Sequence, residues 1–220
     1  MMDGEIILID KPAGMTSFGV VARVRRILSR RAGKKVKVGH CGTLDPFATG
    51  LLILVSGKMT RKAMEFTKLD KVYEAEFILG QESTTGDPEG ELTQVSDSVP
   101  TKEQVEGALA AFRGEIMQRP PIFSAIKING QRAYKLARDG KEVEIPERTI
   151  TVYNLELIDY SYPSLTIRTH VSSGTYIRSL AVDIGMRLGT GAYCKELRRT
   201  KIADFSVTDA KALSDFGVEN

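Results

Sequence analysis

The pattern of apolar and polar positions predicts several β-strands. Residues 5–9 (EIILI) form a short apolar run that ends at residues 10–12 (DKP), and residues 51–55 form another run of strand length. Residues 72–79 alternate, so that one face of a strand carries Tyr73, Ala75, Phe77 and Leu79. Strand character returns at residues 149–157, 164–171 and 202–207.

Three segments carry sequence signals of helices. Residues 17–31 place Val20, Val21, Val24, Ile27 and Leu28 on one face, and Ser17 is a candidate N-cap. Thr101 and Gln104 have the spacing of a capping box, which predicts a helix to about residue 112. Residues 174–188 predict a third helix after a tight turn, with a buried side formed by Ile177, Leu180, Ala181, Ile184 and Leu188.

The strands and helices do not alternate regularly, as they would in a protein with a parallel sheet. We therefore expect an α+β fold with a mixed, largely antiparallel central sheet flanked by helices and loops, in one domain over residues 1–220. Residues 119–148 open with Arg119-Pro120-Pro121 and contain pieces bounded by glycines. This segment is predicted to be an insertion that lies against the body of the protein and carries a ligand contact.

Composition narrows the class of protein. Hydrophobic residues make up 42% of the 220 positions, which suffices for a core, and no apolar stretch is long enough to predict a membrane span. We expect no secretory signal at the N-terminus. Cys41 and Cys194 do not suggest a disulfide framework, so a reducing cytoplasm is the expected compartment. His40 and His170 are the only histidines, and no metal site is predicted.

Basic residues are clustered, although the net charge is only +3. Residues 23–37 contain eight Lys or Arg and no acidic residue, residues 119–141 contain six against one, and residues 195–201 contain four against one. Each cluster alone is typical of a solvated face. Together, three clusters indicate a polyanion that contacts several surfaces.

Residues 39–50 (GHCGTLDPFATG) form the most unusual segment. Its glycines permit positive φ or close approach of another molecule, and Pro46 disfavours a helical conformation for Asp45. We expect a rigid loop that presents the Asp45 carboxylate beside a sheet edge. That carboxylate could be a nucleophile, a general base or a turn-former, and residue chemistry alone favours the turn-former.

The segment GHCGTLDPFATGLL resembles the catalytic motif of the TruB family of pseudouridine synthases, GHxGxLDPxAxGxL. Four other segments resemble family motifs in family order: LIDKPAGMTSF, KVYEAEFILGQESTTGDPEG, RPPIFSAIKINGQRAYKLARDG and SSGTYIRSLAVDIGMRLGTGAYCKELRRTKIADF. Together they cover most of residues 5–207. One Asp-Pro loop is weakly specific, whereas five motifs in order are strongly specific.

The resemblance implies a pseudouridine synthase that isomerises the T-loop uridine at position 55 of tRNA after base flipping, with residues 119–148 as an RNA-gripping insertion. It implies that Asp45 is the catalytic aspartate, that Tyr73 lies against the target base, and that Arg178 pairs with Asp45. The substrate-binding positions that follow from it are His40, Tyr176, Leu197, Gly42, Lys11, Arg119, Lys127 and Arg132. Taken singly, most of these residues would be interpreted as core, surface or loop residues.

The reaction must break a C–N glycosidic bond, turn the base and rejoin it through C5. Asp45 could add to the sugar C1′ or to the uracil C6, or abstract the proton that starts an elimination, and the residues do not decide among these. No cofactor is required. The expected partner is the T-arm of tRNA, with no membrane and no obligatory protein partner, and the protein is expected to be a monomer.

The chain departs from the family pattern at two places, and its sequence leaves two other functions open. Cys41 stands where the family usually has Thr or a similar residue; it could be a thiol near the pocket, but a small packing residue is favoured. Many members continue into a PUA-type RNA-binding module, and with the chain ending at Asn220 we expect no complete module. The alternatives are an RNA-binding or tRNA-folding factor with dispensable catalysis, and a relative of guide-dependent rRNA pseudouridine synthases.

Overall fold

The computed structural model of the chain describes residues 4–124, 127–128, 131–132 and 145–217. Most of the predicted insertion at residues 119–148 therefore lies outside the described residues. The chain divides into two compact units. The first unit consists of Met1–Tyr73 with Leu197–Asn220, and the second of Glu74–Glu196.

Short helices and strands follow each other irregularly along the chain. In the described residues the helices are α1 (Ser17–Ala32), α2 (Ala63–Thr67), α3 (Lys102–Ala110) and α4 (Ile177–Leu188). The strands are β1 (Ile6–Lys11), β2 (Val38–Cys41), β3 (Thr49–Ser56), β4 (Lys71–Leu79), β5 (Gln81–Ser83), β6 (Leu92–Gln94), β7 (Gly114–Gln118), β8 (Lys127–Ile128), β9 (Gln131–Arg132), β10 (Arg148–Ser161), β11 (Ser164–Val171), β12 (Ala192–Ile202) and β13 (Phe205–Ser206).

Strand β3 is the centre of the first unit because it is buried on both faces. It pairs antiparallel with β1 and β2, and parallel with β12. Leu52 and Leu54 pack in one cluster with buried residues of β1 and α1. Leu51, Ile53 and Val55 point to the opposite face and pack in a second cluster. This two-sided burial explains why the strand is a continuous apolar run in the sequence.

Helix α1 covers one side of this strand. Its N-cap is Thr16 and not Ser17, because the Thr16 side chain accepts the Gly19 N–H at 3.0 Å. Ser17 is the first helical residue and is buried. Because Thr16 supplies the cap, the Ser17 hydroxyl is available for another contact. The helix ends at Gly33, which adopts the left-handed conformation. Its buried face is largely the predicted one: Val20, Val21, Val24 and Leu28.

In the second unit, β4, β11, β10 and β7 are neighbours in that order, and β10 pairs antiparallel with both β11 and β7. The predicted capping box of α3 is confirmed, since Gln104 N donates to the Thr101 side chain and Thr101 N donates to Gln104 Oε1. Helix α4 begins at Ile177 rather than at residue 174, because Tyr176 still has an extended backbone. The predicted apolar face of β4 is also confirmed.

The last strand differs from the prediction. Residues 202–207 were expected to form it, but β12 occupies Ala192–Ile202 and only the two-residue β13 follows. The reason is that β12 contains four Lys or Arg residues, which in a sequence are typical of a solvated segment. In the structure one of them, Arg199, is buried. The fold class is nevertheless confirmed: the sheet is mixed and largely antiparallel, with helices interspersed.

Gly50 of β3 lies directly against the backbone of β12, so a substitution at this position measures how closely the two strands are packed. Its φ is 100°, and an added Cβ would lie 2.3 Å from the Arg199 carbonyl oxygen. We expect Gly50→Ala to lower the free energy of unfolding by more than about 2 kcal/mol, measured by urea denaturation. The matched control is Gly33→Ala, which has positive φ but no atom within 4 Å and should cost about 1 kcal/mol. Equal losses would contradict the close strand contact.

Candidate active site

A buried lysine fixes the loop that carries Asp45. Lys11 is fully buried, and its ammonium donates to the carbonyls of Pro12 at 2.8 Å, Met15 at 2.7 Å and Pro46 at 3.1 Å. These charge-assisted bonds tie the residue after Asp45 to the turn that follows β1. The structure places Lys11 inside the framework of the loop, and its predicted contact with substrate stays a prediction.

The residue before Asp45 is fixed from the start of α1. Ser17 Oγ donates to the Leu44 carbonyl at 3.0 Å and accepts the Leu44 N–H at 2.9 Å, and both of these hydrogen bonds are buried. The Asp45 carbonyl accepts the Ala48 N–H at 3.2 Å. Asp45 itself is half-buried. Its backbone is therefore held on both sides while its side chain keeps partial access to solvent.

Arg199 supports the same loop from β12. It is 1% exposed, and it donates to the Leu51 carbonyl at 2.8 Å through Nε and to the Gly42 carbonyl at 3.0 Å through Nη2. Gly42 has a φ of 89° and lies against the guanidinium, with 3.6 Å between its added Cβ and Arg199 Nη1. That distance is an ordinary van der Waals contact, so it is the positive φ that gives Gly42 a structural reason to be glycine beside its predicted substrate role.

Two further buried groups lie beside this arginine. The Lys71 ammonium donates to Thr67 and Leu69 carbonyls, and burial, reinforced by the Arg199 charge, lowers the pKa of Lys71 to about 8. Burial raises the pKa of the Cys41 thiol to about 11, against the opposing effect of Lys71. Cys41 is therefore a neutral thiol at pH 7, in agreement with the packing role that the sequence favoured.

The other predicted site residues of the first unit are Tyr73, Leu197 and His40. Tyr73 and Leu197 are each 7% exposed, and His40 is half-buried on β2. The Leu197 carbonyl lies 3.5 Å from Thr49 Oγ1. Tyr73 and Leu197 have the burial of core residues, so burial alone does not identify them as site residues.

Arg178 in the second unit is not a surface residue. It is 3% exposed in the first turn of α4 and forms an ion pair with Asp87 at 3.0 Å. It also donates to the Thr85 carbonyl at 2.9 Å and to the Phe123 carbonyl at 2.8 Å. Asp87 was missed in the sequence because an Asp before a Pro in a turn-rich segment looks like a turn-former. In the structure it is a buried partner of a charged arginine.

Tyr176 is positioned by a side chain that the sequence did not indicate. The buried Gln118 accepts the Tyr176 N–H at 2.8 Å and donates to the Tyr176 carbonyl at 3.0 Å. The Arg148 guanidinium lies 5.0 Å from the centre of the Tyr176 ring and donates to the Gly174 carbonyl. The half-buried ring is thus fixed by its backbone and by a cation over its face.

The residues of the insertion are described only in part. Arg119 is exposed and pairs with Glu147 at 3.3 Å, and its carbonyl accepts from Ser179 Oγ at 2.8 Å. Lys127 and Arg132 lie opposite each other in the pairing of β8 with β9. Their side chains lie outside the described residues. The predicted grip on RNA by these residues stays a prediction.

Asp45 belongs to the first unit and Arg178 to the second, and their pairing stays a prediction. Within the described ranges no three His, Cys, Asp or Glu side chains form a group that could hold a metal ion. None of the helices in these same ranges has the length and apolar character that crossing a membrane would require.

Two family models match the chain, and together they cover most of it. The model of the TruB family pseudouridylate synthase (N terminal domain) matches residues 25–177. The model of the tRNA pseudouridylate synthase B C-terminal domain matches residues 178–218.

Curated relatives are similar over nearly the whole chain. The tRNA pseudouridine synthase B of Dehalococcoides mccartyi is 47% identical over 97% of this chain and 70% of its own length. The enzymes of the same name from Chloroherpeton thalassium and Aquifex aeolicus are both 46% identical. The first matches 97% of this chain and 89% of its own length, and the second 98% and 74%.

Solved structures share the fold. A chain in the crystal structure of a Cbf5-Nop10-Gar1 complex superposes with a TM-score of 0.73 and 33% identity over 96% of this chain. A chain in the structure of an H/ACA RNP bound to a substrate RNA containing 2′-deoxyuridine gives 0.69 and 29% over 98%. This protein spans about half the length of these two chains, 52% and 56%.

The buried ion pair of the second unit predicts a large stability effect. Asp87→Ala removes the carboxylate from this buried ion pair, so we expect the free energy of unfolding to fall by about 3–5 kcal/mol in urea denaturation. The control is Asp97→Ala, an exposed aspartate of the same unit, which should change stability by less than about 0.5 kcal/mol. Similar values for the two variants would contradict a structural role of the pair.

Proposed function

Since the chain belongs to the TruB family of pseudouridine synthases, we propose that it converts uridine 55 in the T-loop of tRNA to pseudouridine. The observation that carries the proposal is the Asp45 loop, in which the residues on both sides of the aspartate are fixed by buried hydrogen bonds. The match to curated tRNA pseudouridine synthases over 97% of the chain supports the reaction class. The position of the modified uridine within tRNA is the part of the proposal that goes beyond this match.

We propose that Asp45 is the catalytic residue. Pseudouridine formation detaches a base and rejoins it through another atom, so the reacting carboxylate must stay aligned while the base turns. Anchored neighbours such as Leu44 and Pro46 keep the backbone of Asp45 fixed without using its side chain. Addition at C1′, addition at C6 and proton abstraction remain alternatives for this carboxylate.

The base must leave its stack before it can reach Asp45. We propose that Tyr73 lies against the flipped uracil, with Tyr176 and Leu197 beside it, and that His40 holds the opened T-loop. Arg178 is proposed to pair with Asp45 and keep it ionised, since a neighbouring cation favours the carboxylate. The hydrogen bonds of Arg178 to Thr85 and Phe123 and its pair with Asp87 support this role because they fix the guanidinium.

Binding of tRNA is proposed to involve the cations of the insertion, Arg119, Lys127 and Arg132. Gly42 and Lys11 are proposed to act near the substrate through the shape of the Asp45 loop. We further propose that the protein works in the cytoplasm as a monomer without an obligatory protein partner. One solved chain that is similar to this protein comes from a Cbf5-Nop10-Gar1 complex, so dependence on a partner protein should be tested.

The decisive measurement is tritium release from tRNA labelled at C5 of uridine. Wild type should release about one equivalent per tRNA, because C5 loses its hydrogen when the new bond forms. Asp45→Asn should release none and still bind tRNA in a filter assay. A tRNA whose T-loop uridine 55 is replaced should give no release with wild type. Binding without any release by wild type would favour the tRNA-folding factor instead.

The insertion generates a separate prediction. Replacing Arg119, Lys127 and Arg132 together by Gln should raise the dissociation constant for tRNA about tenfold or more and change single-turnover rates at saturating tRNA much less. A matched control triple, Arg61→Gln, Lys62→Gln and Lys68→Gln, removes the same charge from exposed residues of the first unit. Equal affinity losses in the two triples would show that the insertion does not grip tRNA.

A further inference from the structure

A recess with a volume of about 320 Å³ lies on the outer side of α1. Its lining is Ala22, Arg25, Arg26, Ser29 and Lys35. Three of these residues carry a positive charge and none is acidic. The recess is therefore a concave surface with several cations around it, which is the arrangement that attracts an anion rather than a neutral ligand.

The fold brings Lys35 to this recess from beyond the helix. Gly33 turns the chain in the left-handed conformation, and Lys34 N donates to the Ser29 carbonyl at 3.2 Å. Val36 is buried, and its N–H donates to Ser29 Oγ at 3.0 Å. These bonds fold residues 34–36 back against the helix. Lys35 thus joins two arginines that precede it by nine and ten positions.

Ion pairs do not account for the charges of the recess. In the part of the chain that the structure describes, no acidic side chain forms an ion pair with any residue of 23–37. Arg30 and Arg31 lie in the last turn of α1, where the helix dipole stabilises cations. Arg25 and Arg26 lie earlier in the helix, and Lys35 lies outside it. The dipole does not account for these three cations.

The recess has a fixed relation to Asp45 within the first unit. Helix α1 begins at Ser17, which is hydrogen-bonded in both directions to Leu44 next to Asp45. Arg25 and Arg26 follow eight and nine residues later, which at 1.5 Å per residue is about 13 Å along the helix axis. The helix therefore holds the cations at a set distance from the loop that carries the aspartate.

We propose that this recess binds backbone phosphates of the same tRNA whose uridine enters the Asp45 site. The inference rests on the proposed function, since it takes tRNA as the substrate. An RNA helix leaving the site presents a row of phosphates, and the contacts at α1 then fix the direction in which that helix leaves. Such contacts set affinity and orientation and carry no sequence information.

The test is tRNA binding at several salt concentrations with the variant Arg25→Gln, Arg26→Gln and Lys35→Gln. Each lost phosphate contact should lower the slope of log K against log salt by about one, so we expect the slope to fall by about 2–3 and the affinity at low salt to fall at least about tenfold. The control triple of Arg61, Lys62 and Lys68 removes equal charge and should leave the slope within about one of wild type. The single variant Arg26→Glu changes one exposed side chain, and its tRNA affinity provides a second measurement of the same contact.

The outcomes separate this inference from the proposed function. A flatter slope in the recess variants alone supports the recess, whether or not tritium is released. Equal changes in the recess and control triples would overturn it, because net charge would then explain the loss. Normal tritium release by wild type with unchanged binding in the recess variants would overturn the recess and keep the proposed function. A wild type that binds no tRNA would overturn both.

Discussion

A buried cation needs oxygen atoms around it, and in the first unit backbone carbonyls of the Asp45 region supply them. Lys11 and Arg199 are both essentially inaccessible to solvent, and burying a charge without partners would cost several kcal/mol. Their bonds to the carbonyls of Pro46, Gly42 and Leu51 meet that need. The same bonds leave the loop few alternative conformations, since any other path would strand a charge inside the protein.

Arg178 follows the same principle in the second unit. There the ligands are the Asp87 carboxylate and the carbonyls of Thr85 and Phe123, which come from separate segments of the chain. One guanidinium therefore orders the loop around Asp87 and the start of the insertion together. A planar group with several fixed donors suits this task better than an ammonium, because its geometry admits fewer arrangements of partners.

Local signals in the sequence were enough for the elements that depend on local physics. The capping box of α3, the apolar face of β4 and the strand at the apolar run of β3 all follow from residues close to each other in the chain. Features that depend on distant partners were not predictable. The burial of Ser17 depends on Leu44, and the role of Asp87 depends on Arg178. The burial of Arg199 in β12 depends on the carbonyls of Gly42 and Leu51, and no local pattern links any of these partners.

The positive charges of this chain therefore fall into two kinds, which composition cannot separate. Lys11, Arg178 and Arg199 are buried, and the oxygens around them make them part of the framework. Arg25, Arg26 and Lys35 line an open recess and have no acidic partner among the described residues. Because a framework cation is buried, it is shielded from a polyanion outside the protein. The cations of the recess keep their electrostatic attraction for a polyanion, and their fixed positions on and beside α1 give that attraction a direction.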